Sequence, residues 1–247
     1  DCAYTVGLHI GGTIENFADI MNKKAKEIGL ENTSFANPHG LDKENHYSSA
    51  KDMAILTKYA ISNKYINEAM NTKEITINFG SFSKLLRNTN ALLRSYEYTD
   101  GGKTGFTNKA NRCLIVTATK NDSRYIAVVL GAETTNIRFN TGKQILEGCF
   151  EKYKKTDISK YLNFYINVPV NKGNIKSYER HFNDNLLFPL AADEYEKIYI
   201  KQDIISEINP PMYIGEKIGK IYAYIDDEII YEKEIILEEN IYKKNIF

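Results

Sequence analysis

Residues 100–107 read "DGGKTGFT" and place a lysine, a threonine and a glycine side by side at Lys103, Thr104 and Gly105. A lysine ammonium can supply positive charge for a carboxylate and for proton movement at a nucleophile, and a threonine hydroxyl can donate a hydrogen bond. A glycine lets the backbone of a ligand lie against a strand edge, as an added strand does. The triplet alone is equally compatible with a surface turn that carries a solvated lysine.

Two kinds of site use these residue types. A phosphate-binding loop of the pattern G-x-x-x-x-G-K-[ST] needs a glycine at position 97, where this chain has Glu97, and a helix after the lysine. Residues 103–107 instead have the pattern of a strand. Serine β-lactamases and penicillin-binding proteins carry Lys-Thr-Gly on a strand that lines the active site, and the strand-like context favours this second kind of site.

The phrases around the triplet make a family resemblance specific. They are "MNKKAKEIGLENTSFANPHGL", "HYSSAKDMA", and "NTNALL" followed by "DGGKTGFTNKANRCLIVTAT". In their order and spacing they resemble the low-molecular-weight penicillin-binding proteins, the D-alanyl-D-alanine carboxypeptidases. The resemblance covers residues 1–155 and continues more weakly through the remainder, where the family carries a C-terminal β domain.

Members of this family remove the terminal D-Ala from peptidoglycan stem peptides through a serine acyl-enzyme. They use Ser-x-x-Lys, then Ser-x-Asn, then Lys-Thr-Gly. The resemblance implies a catalytic role for Lys103 and substrate contacts for Thr104, Gly105, Phe106, Thr107, Arg138 and His39. Arg138 would bind the terminal carboxylate, for which a permanently charged, bidentate guanidinium is suited. Two alternatives stay open: a solvated arginine at position 138, and a histidine at position 39 that only makes local hydrogen bonds.

The first two motifs are not found as working elements. None of the eleven serines begins a Ser-x-Asn, and Ser-x-x-Lys occurs only as Ser48–Lys51 and Ser81–Lys84. Both pairs lie after the place that the family gives to Ser-x-Asn, so their order is wrong. We therefore expect the chain to lack the nucleophile segment, to begin one residue after the Ser-x-Asn motif, and to form no acyl-enzyme alone.

Composition excludes several other classes of protein. The 247 residues include 32 basic and 32 acidic side chains, so no overall positive charge favours nucleic acid as a partner. No apolar run is long enough for a transmembrane helix, and no signal peptide is recognisable. The four histidines have no metal-binding spacing, and we expect neither a metal nor a cofactor. Cys2, Cys113 and Cys149 are too few for a disulfide framework, and we expect them to be small buried residues.

Apolar periodicity and turn residues define the elements that must position the triplet. They predict helices over 13–29, 48–62 and 138–155, and strands over 74–79, 103–107, 113–119 and 124–132. Thr13 is a candidate N-cap, and Ser49 with Asp52 fits a capping box. The opening "DCAYTVGLHIGG" has the pattern of buried structure, and the last two strands predict a hairpin.

After residue 156 short alternating stretches separated by turn residues replace the helical periodicity. We therefore predict an α+β protein. Residues 1–155 would form part of a DD-peptidase/β-lactamase-like transpeptidase domain, an antiparallel sheet with helices, and residues 156–247 a small all-β domain.

The leading functional hypothesis is a serine-type D-Ala-D-Ala carboxypeptidase, to which this chain contributes the Lys-Thr-Gly wall. Its partners would be stem peptides ending in D-Ala-D-Ala, β-lactam antibiotics and a missing N-terminal segment. It would act outside the cytoplasm, secreted or held at the membrane by a segment not in this chain, because "NIYKKNIF" shows no amphipathic helix. The alternative is a non-catalytic module that binds peptidoglycan peptides or penicillin. A class A β-lactamase is disfavoured, because the β-rich tail is foreign to it.

Overall fold

A computed structural model describes residues 2–244, so Asp1 and the last three residues of "NIYKKNIF" lie outside the described part. The chain divides into two compact units, Asp1–Phe150 and Glu151–Phe247. The change in composition predicts a boundary a few residues later, after residue 155. Helices and strands both contribute to the structure, and the predicted α+β class is confirmed.

The first unit contains helices whose starts follow local sequence signals. Thr13 accepts a hydrogen bond from the Asn16 amide at 3.1 Å, and Ser49 accepts one from the Asp52 amide at 3.1 Å, so both predicted N-caps are confirmed. The helices are α1 Cys2–Gly11, α2 Ile14–Glu27, α3 Ala50–Ile61, α4 Lys64–Asn71, α5 Leu92–Ser95 and α6 Thr135–Lys152.

Within the described residues only the Ser49 half of the predicted capping box forms, because the Asp52 carboxylate bonds residues outside its own helix. Its Oδ2 accepts hydrogen bonds from the Asn32 amide at 2.7 Å and from the Thr33 hydroxyl at 2.6 Å. The Thr33 hydroxyl is the largest cause of the lowered pKa of this carboxyl, and burial opposes the shift. Asp52 thus ties the loop after α2 to the start of α3.

Helix α1 corrects one prediction. The opening residues were expected to be buried, yet Tyr4, Val6 and Ile10 are 46%, 52% and 57% exposed. Only Gly7 and Gly11 of this helix are buried. Helix α1 is therefore apolar, but within the described residues no element covers most of its surface.

Three antiparallel strands form the sheet of the first unit in the order β3-β4-β5, beside a separate two-stranded hairpin of β1 and β2. Positive φ angles of 50° and 57° at Asn121 and Asp122 allow the tight turn of the predicted hairpin between β4 and β5. The strands are β1 Glu74–Phe79, β2 Phe82–Arg87, β3 Thr99–Thr107, β4 Asn111–Lys120 and β5 Ser123–Ala132.

The core of this unit lies between the sheet and α6. Leu114 and Val116 of β4 and Leu146 of α6 are fully buried. A Cβ at Gly142 would lie 2.9 Å from Leu114 Cδ2, so this glycine lets the helix approach the sheet closely. Ile145, the residue before Leu146, is 40% exposed, so only part of the apolar surface of α6 is buried.

The cysteines also differ from expectation. Cys2 is exposed, and Cys113 and Cys149 are only partly buried. Cys113 belongs to the face of β4 opposite Leu114, since neighbouring strand residues point to opposite faces. That face is less completely covered than the face that packs against α6.

The second unit is an all-β domain, as its alternating sequence predicts. Its strands pair antiparallel as β6 with β9, β7 with β8, and β10-β11-β12. Ile208, Ile218, Ile235, Leu237 and Ile241 are fully buried in its core. No described helix of the chain is both long enough and apolar enough to span a membrane. The strands are β6 Lys154–Asp157, β7 Asn163–Pro169, β8 Ser177–Asn183, β9 Leu187–Leu190, β10 Tyr199–Ile204, β11 Lys217–Ile225 and β12 Glu228–Ile236.

Candidate functional site

The Lys-Thr-Gly triplet lies on β3, an edge strand of its sheet among the described residues. Lys103 is opposite Ile115 of β4 and Gly105 is opposite Cys113. The other edge of β3 pairs with no strand in the described part of the chain. Lys103 and Gly105 are exposed, whereas Thr104 is partly buried. An unpaired edge of this kind can accept an extended peptide as an additional strand.

The glycines of the motif segment divide into two groups. Gly102 has φ +136°, and a Cβ there would lie 2.3 Å from the Ile115 carbonyl oxygen. A Cβ at Gly101 would lie 2.8 Å from Thr117 Oγ1, so close packing requires both glycines. The nearest atom to a Cβ at Gly105 is Cys113 Cβ at 3.7 Å, an ordinary contact. Among the described residues, packing therefore gives no reason for a glycine at position 105.

Two polar side chains, the buried Asn90 and the partly buried Asp100, fix the beginning of β3. Asn90 is fully buried and donates from Nδ2 to the Gly101 carbonyl oxygen at 3.1 Å. The Asp100 carboxylate accepts from the Thr117 hydroxyl at 2.6 Å and pairs with Arg124 at 3.1 Å. Because their partners lie on neighbouring elements, these contacts hold the motif strand in a defined register.

Lys103 and Thr104 have different surroundings. The Thr104 hydroxyl lies 2.6 Å from the Thr89 hydroxyl, a hydrogen bond that can orient it. The Lys103 ammonium donates to the Thr104 carbonyl oxygen. Lys103 also borders a shallow groove of about 370 Å³ along α4, together with Tyr65 and Met70.

Arg138 lies beneath the motif strand. Its Nη1 is 3.4 Å from the carbonyl oxygens of both Gly105 and Cys113, and its guanidinium lies 4.5 Å from the Phe139 ring centre. Only 8% of the residue is exposed, so the alternative of a solvated arginine is excluded. Burial, followed by the nearby Arg112 charge, lowers the pKa of Arg138. Among the described residues its Nε has no hydrogen-bond partner.

A cavity of about 580 Å³ lies beside the end of β3. Gly105, Phe106 and Thr107 line it from the strand side, so the structure brings these three predicted residues together. The other lining residues include Phe35, Gly40, His46, Ser48, Met53, Cys113 and Leu130. The walls are largely apolar, with a few polar groups, as in many ligand sites.

Of the two histidines in the loop before α3, His46 lines the cavity, whereas His39, the histidine predicted from the sequence, is not among its lining residues. His39 is exposed, accepts from the Leu41 amide at 3.3 Å and stacks on Tyr4, so it makes the local contacts of the open alternative. His46, which sequence reasoning did not single out, lines the cavity and accepts from the Ala36 amide at 2.9 Å. Burial is the largest cause of its lowered pKa. Its only sequence signal is its place at the start of "HYSSAKDMA".

The two Ser-x-x-Lys pairs have different places in the fold. Ser48 lines the cavity, and its hydroxyl lies 2.8 Å from the Thr33 hydroxyl, whereas Lys51 is exposed. Ser81 lies in the turn between β1 and β2, with Lys84 exposed on β2. Ser81 is thus a hairpin-turn residue, and Ser48 precedes the N-cap of α3.

A family model described as D-alanyl-D-alanine carboxypeptidase matches residues 1–134, and a second, described as penicillin-binding protein 5, C-terminal domain, matches residues 153–243. The first match covers more than half of the chain. The chain therefore belongs to the D-alanyl-D-alanine carboxypeptidase family.

Individual relatives match nearly the whole chain. It is 34% identical over 245 residues to the D-alanyl-D-alanine carboxypeptidase DacF of Bacillus subtilis, covering 98% of this chain and 63% of that protein. It is 30% identical over 261 residues to DacC of Escherichia coli, covering 62% of that protein. The crystal structure of penicillin binding protein 5 from Haemophilus influenzae superposes with a TM-score of 0.73 at 27% identity, over 97% of this chain and 70% of the other. The chain thus spans about three fifths of the curated relatives' length.

Proposed function

We propose that this chain forms one wall of a serine-type D-Ala-D-Ala carboxypeptidase site, which removes the terminal D-Ala from peptidoglycan stem peptides through an acyl-enzyme. The observation that carries the proposal is Gly105, a glycine that packing does not require, on the unpaired edge of β3 next to Lys103 and Thr104. The names of the relatives support the same reaction.

Each residue of this wall has a distinct role in the proposal. The stem peptide lies along the edge of β3, where the lack of a side chain at Gly105 lets the two backbones approach. The Thr104 hydroxyl donates a hydrogen bond to the terminal carboxylate, and Lys103 supplies positive charge and assists proton movement. Arg138 supports the strand from below and adds positive charge near the carboxylate.

The nucleophile in this proposal comes from outside residues 1–247. Ser-x-Asn occurs nowhere in the sequence, Ser81 lies in a hairpin turn, and the Ser48 hydroxyl is hydrogen-bonded to Thr33. The exposed apolar surface of α1 offers a face against which a further segment would pack.

The proposed substrate also defines the location and the inhibitors. Peptidoglycan lies outside the cytoplasmic membrane, so the protein would act there, either secreted or membrane-associated. β-Lactams, which acylate serine enzymes of this family, would compete with the stem peptide for the edge of β3.

Labelling with a fluorescent penicillin tests the proposal. We expect a covalent adduct on the full-length product of the gene and none on the isolated 1–247 chain. An adduct on the isolated chain would overturn the proposal and direct attention to Ser48 or Ser81. If the full-length protein binds penicillin reversibly without an adduct, the non-catalytic binding module is correct instead.

A further inference from the structure

The motif strand is joined to a loop 65 residues earlier in the sequence. At the end of β3 the Thr107 hydroxyl donates to Asp42 Oδ1 at 2.7 Å and accepts from the Ala110 amide at 3.0 Å. Both capacities of this hydroxyl are therefore used: one joins β3 to residues 37–47, which we call the strap loop, and the other closes the turn after the strand.

The strap loop also has hydrogen bonds of its own. Asn37 is 5% exposed, accepts from the Gly40 amide at 2.8 Å and donates to the Leu41 carbonyl oxygen at 2.9 Å. Gly40 has φ +77°, a conformation that glycine adopts without strain. Because these contacts shape the loop just before Asp42, the carboxylate is presented to Thr107 by a preformed turn.

The bond between Asp42 and Thr107 joins the two sides of the cavity. Gly40 and His46 belong to the strap-loop side, whereas Gly105 and Phe106 belong to the strand side. Described contacts elsewhere fix β3 at its beginning, through Asn90 and Asp100, but Thr107 lies at its other end. Among the hydrogen bonds of the described residues, the one from Thr107 to Asp42 joins the strap loop to this end of β3.

We propose that Asp42 is a positioning residue of the candidate site: its hydrogen bond to Thr107 fixes the strap loop against the end of β3, and so the separation of the cavity walls beside Gly105. This inference rests on the proposed function, which supplies the reaction. Asp42 itself touches neither substrate nor nucleophile in this account.

The effect of Asp42 on positioning can be measured apart from its effect on stability. Asp42 is exposed, and an exposed hydrogen bond contributes little to the free energy of unfolding. Its loss should leave the fold intact and let the loop move. An uncharged Asn at this position keeps an acceptor oxygen of similar reach, so it should preserve most of the contact.

The test uses full-length protein with Asp42→Ala, Asp42→Asn, Thr107→Val and the double variant Asp42→Ala/Thr107→Val. Glu44→Ala is the control, because Glu44 is an exposed carboxylate on the same loop. The readouts are kcat and KM for D-Ala release, the rate of acylation by penicillin, and Tm.

We expect Asp42→Ala to lower kcat/KM and the acylation rate about 10-fold, the effect of one lost positioning hydrogen bond. Asp42→Asn should restore activity to within about 3-fold of wild type. The double variant should be no worse than Thr107→Val alone, because that substitution already removes the contact with Asp42. Unchanged kcat/KM in Asp42→Ala, or a loss equal to that in Glu44→Ala, would overturn the proposal.

Amide hydrogen exchange on the 1–247 chain separates this proposal from the proposed function. Asp42→Ala should speed exchange at Gly40 and Leu41, because the turn that protects these two amides opens more often once it is no longer anchored to β3, while β4 amides keep wild-type rates. If wild-type full-length protein is not acylated, the proposed function fails, and the exchange result alone decides the role of Asp42. Unchanged exchange at both the Gly40 and Leu41 amides would contradict the positioning role of Asp42.

Discussion

Arg138 Nη1 lies 3.4 Å from the carbonyl oxygen of Gly105, although the two residues are 33 positions apart. The same nitrogen lies 3.4 Å from the Cys113 carbonyl oxygen on β4. One guanidinium from the first turn of α6 thus supports the motif strand and its neighbour together. Its positive charge therefore lies close to the backbone of the strand along which the proposed substrate would bind.

Replacing Arg138 should therefore affect both stability and activity. Arg138→Ala should lower the free energy of unfolding of the 1–247 chain by about 2 kcal/mol, because two carbonyl groups lose their donor and a buried side chain is removed. Urea unfolding measures this. Gln144→Ala, an exposed position on the same helix, is the control and should leave the midpoint unchanged. A midpoint for Arg138→Ala equal to that of wild type would show that Arg138 does not support the strand.

The glycines of the motif segment should respond differently to the same substitution. Gly102→Ala should cost about 3 kcal/mol or more, because its φ of +136° and the 2.3 Å approach to the Ile115 carbonyl oxygen leave no room for a Cβ. Gly105→Ala should change stability by less than about 1 kcal/mol, since its Cβ would make an ordinary contact.

Thermal unfolding of the two 1–247 variants measures this difference. In full-length protein Gly105→Ala should nevertheless reduce D-Ala release about 10-fold or more, because the added methyl group separates the peptide from the strand edge. If Gly105→Ala destabilises the chain as much as Gly102→Ala does, the glycine is structural and its assignment to the site is wrong.

The second unit carries a titratable pair with a defined pH signature. The Tyr231 hydroxyl donates to Asp184 Oδ2 at 2.8 Å, and burial together with this hydrogen bond raises the pKa of Tyr231 from 10.0 to about 12. The folded state therefore holds the phenolic proton more tightly than the unfolded chain does. The contribution of the protonated Tyr231 hydroxyl to stability is complete below pH 10 and is lost as the pH rises to about 12.

Tyr231→Phe should remove this part of the pH dependence. The difference in unfolding free energy between wild type and variant should shrink by about 1–2 kcal/mol between pH 10 and about 12. Lysines titrate in the same range but do so in both proteins, so the comparison cancels most of their effect. Parallel stability curves over this range would contradict the assignment.

Local signals in the sequence were sufficient for several elements. Thr13 and Ser49 mark helix starts because an N-cap hydroxyl acts within one turn of its own helix. The alternation in the second unit predicts strands because a period of two residues is also a local signal. Strand Phe82–Arg87 was missed, since every residue in it is exposed and no buried face imposes a period.

Local signals of this kind do not predict contacts between residues that are distant in the sequence. The position of Arg138 in the first turn of a helix gives no sign that it bonds two strands, because its partners, residues 105 and 113, are distant in the sequence. Likewise nothing local in "HGLDKENHY" distinguishes His46, which lines the cavity, from His39, which does not. An apolar sequence in α1 also cannot reveal whether a covering element is present.

The central claim is that the edge of β3 bearing Lys103 is the wall of an acyl-transfer site. The most direct test is D-Ala release from a synthetic peptide ending in D-Ala-D-Ala by full-length protein with Lys103→Ala. Lys109→Ala is the matched control, because Lys109 is exposed in the turn just after β3. We expect Lys103→Ala to lose about 100-fold or more in kcat/KM and Lys109→Ala to stay within about 2-fold of wild type. Wild-type D-Ala release by the Lys103→Ala protein would contradict the account.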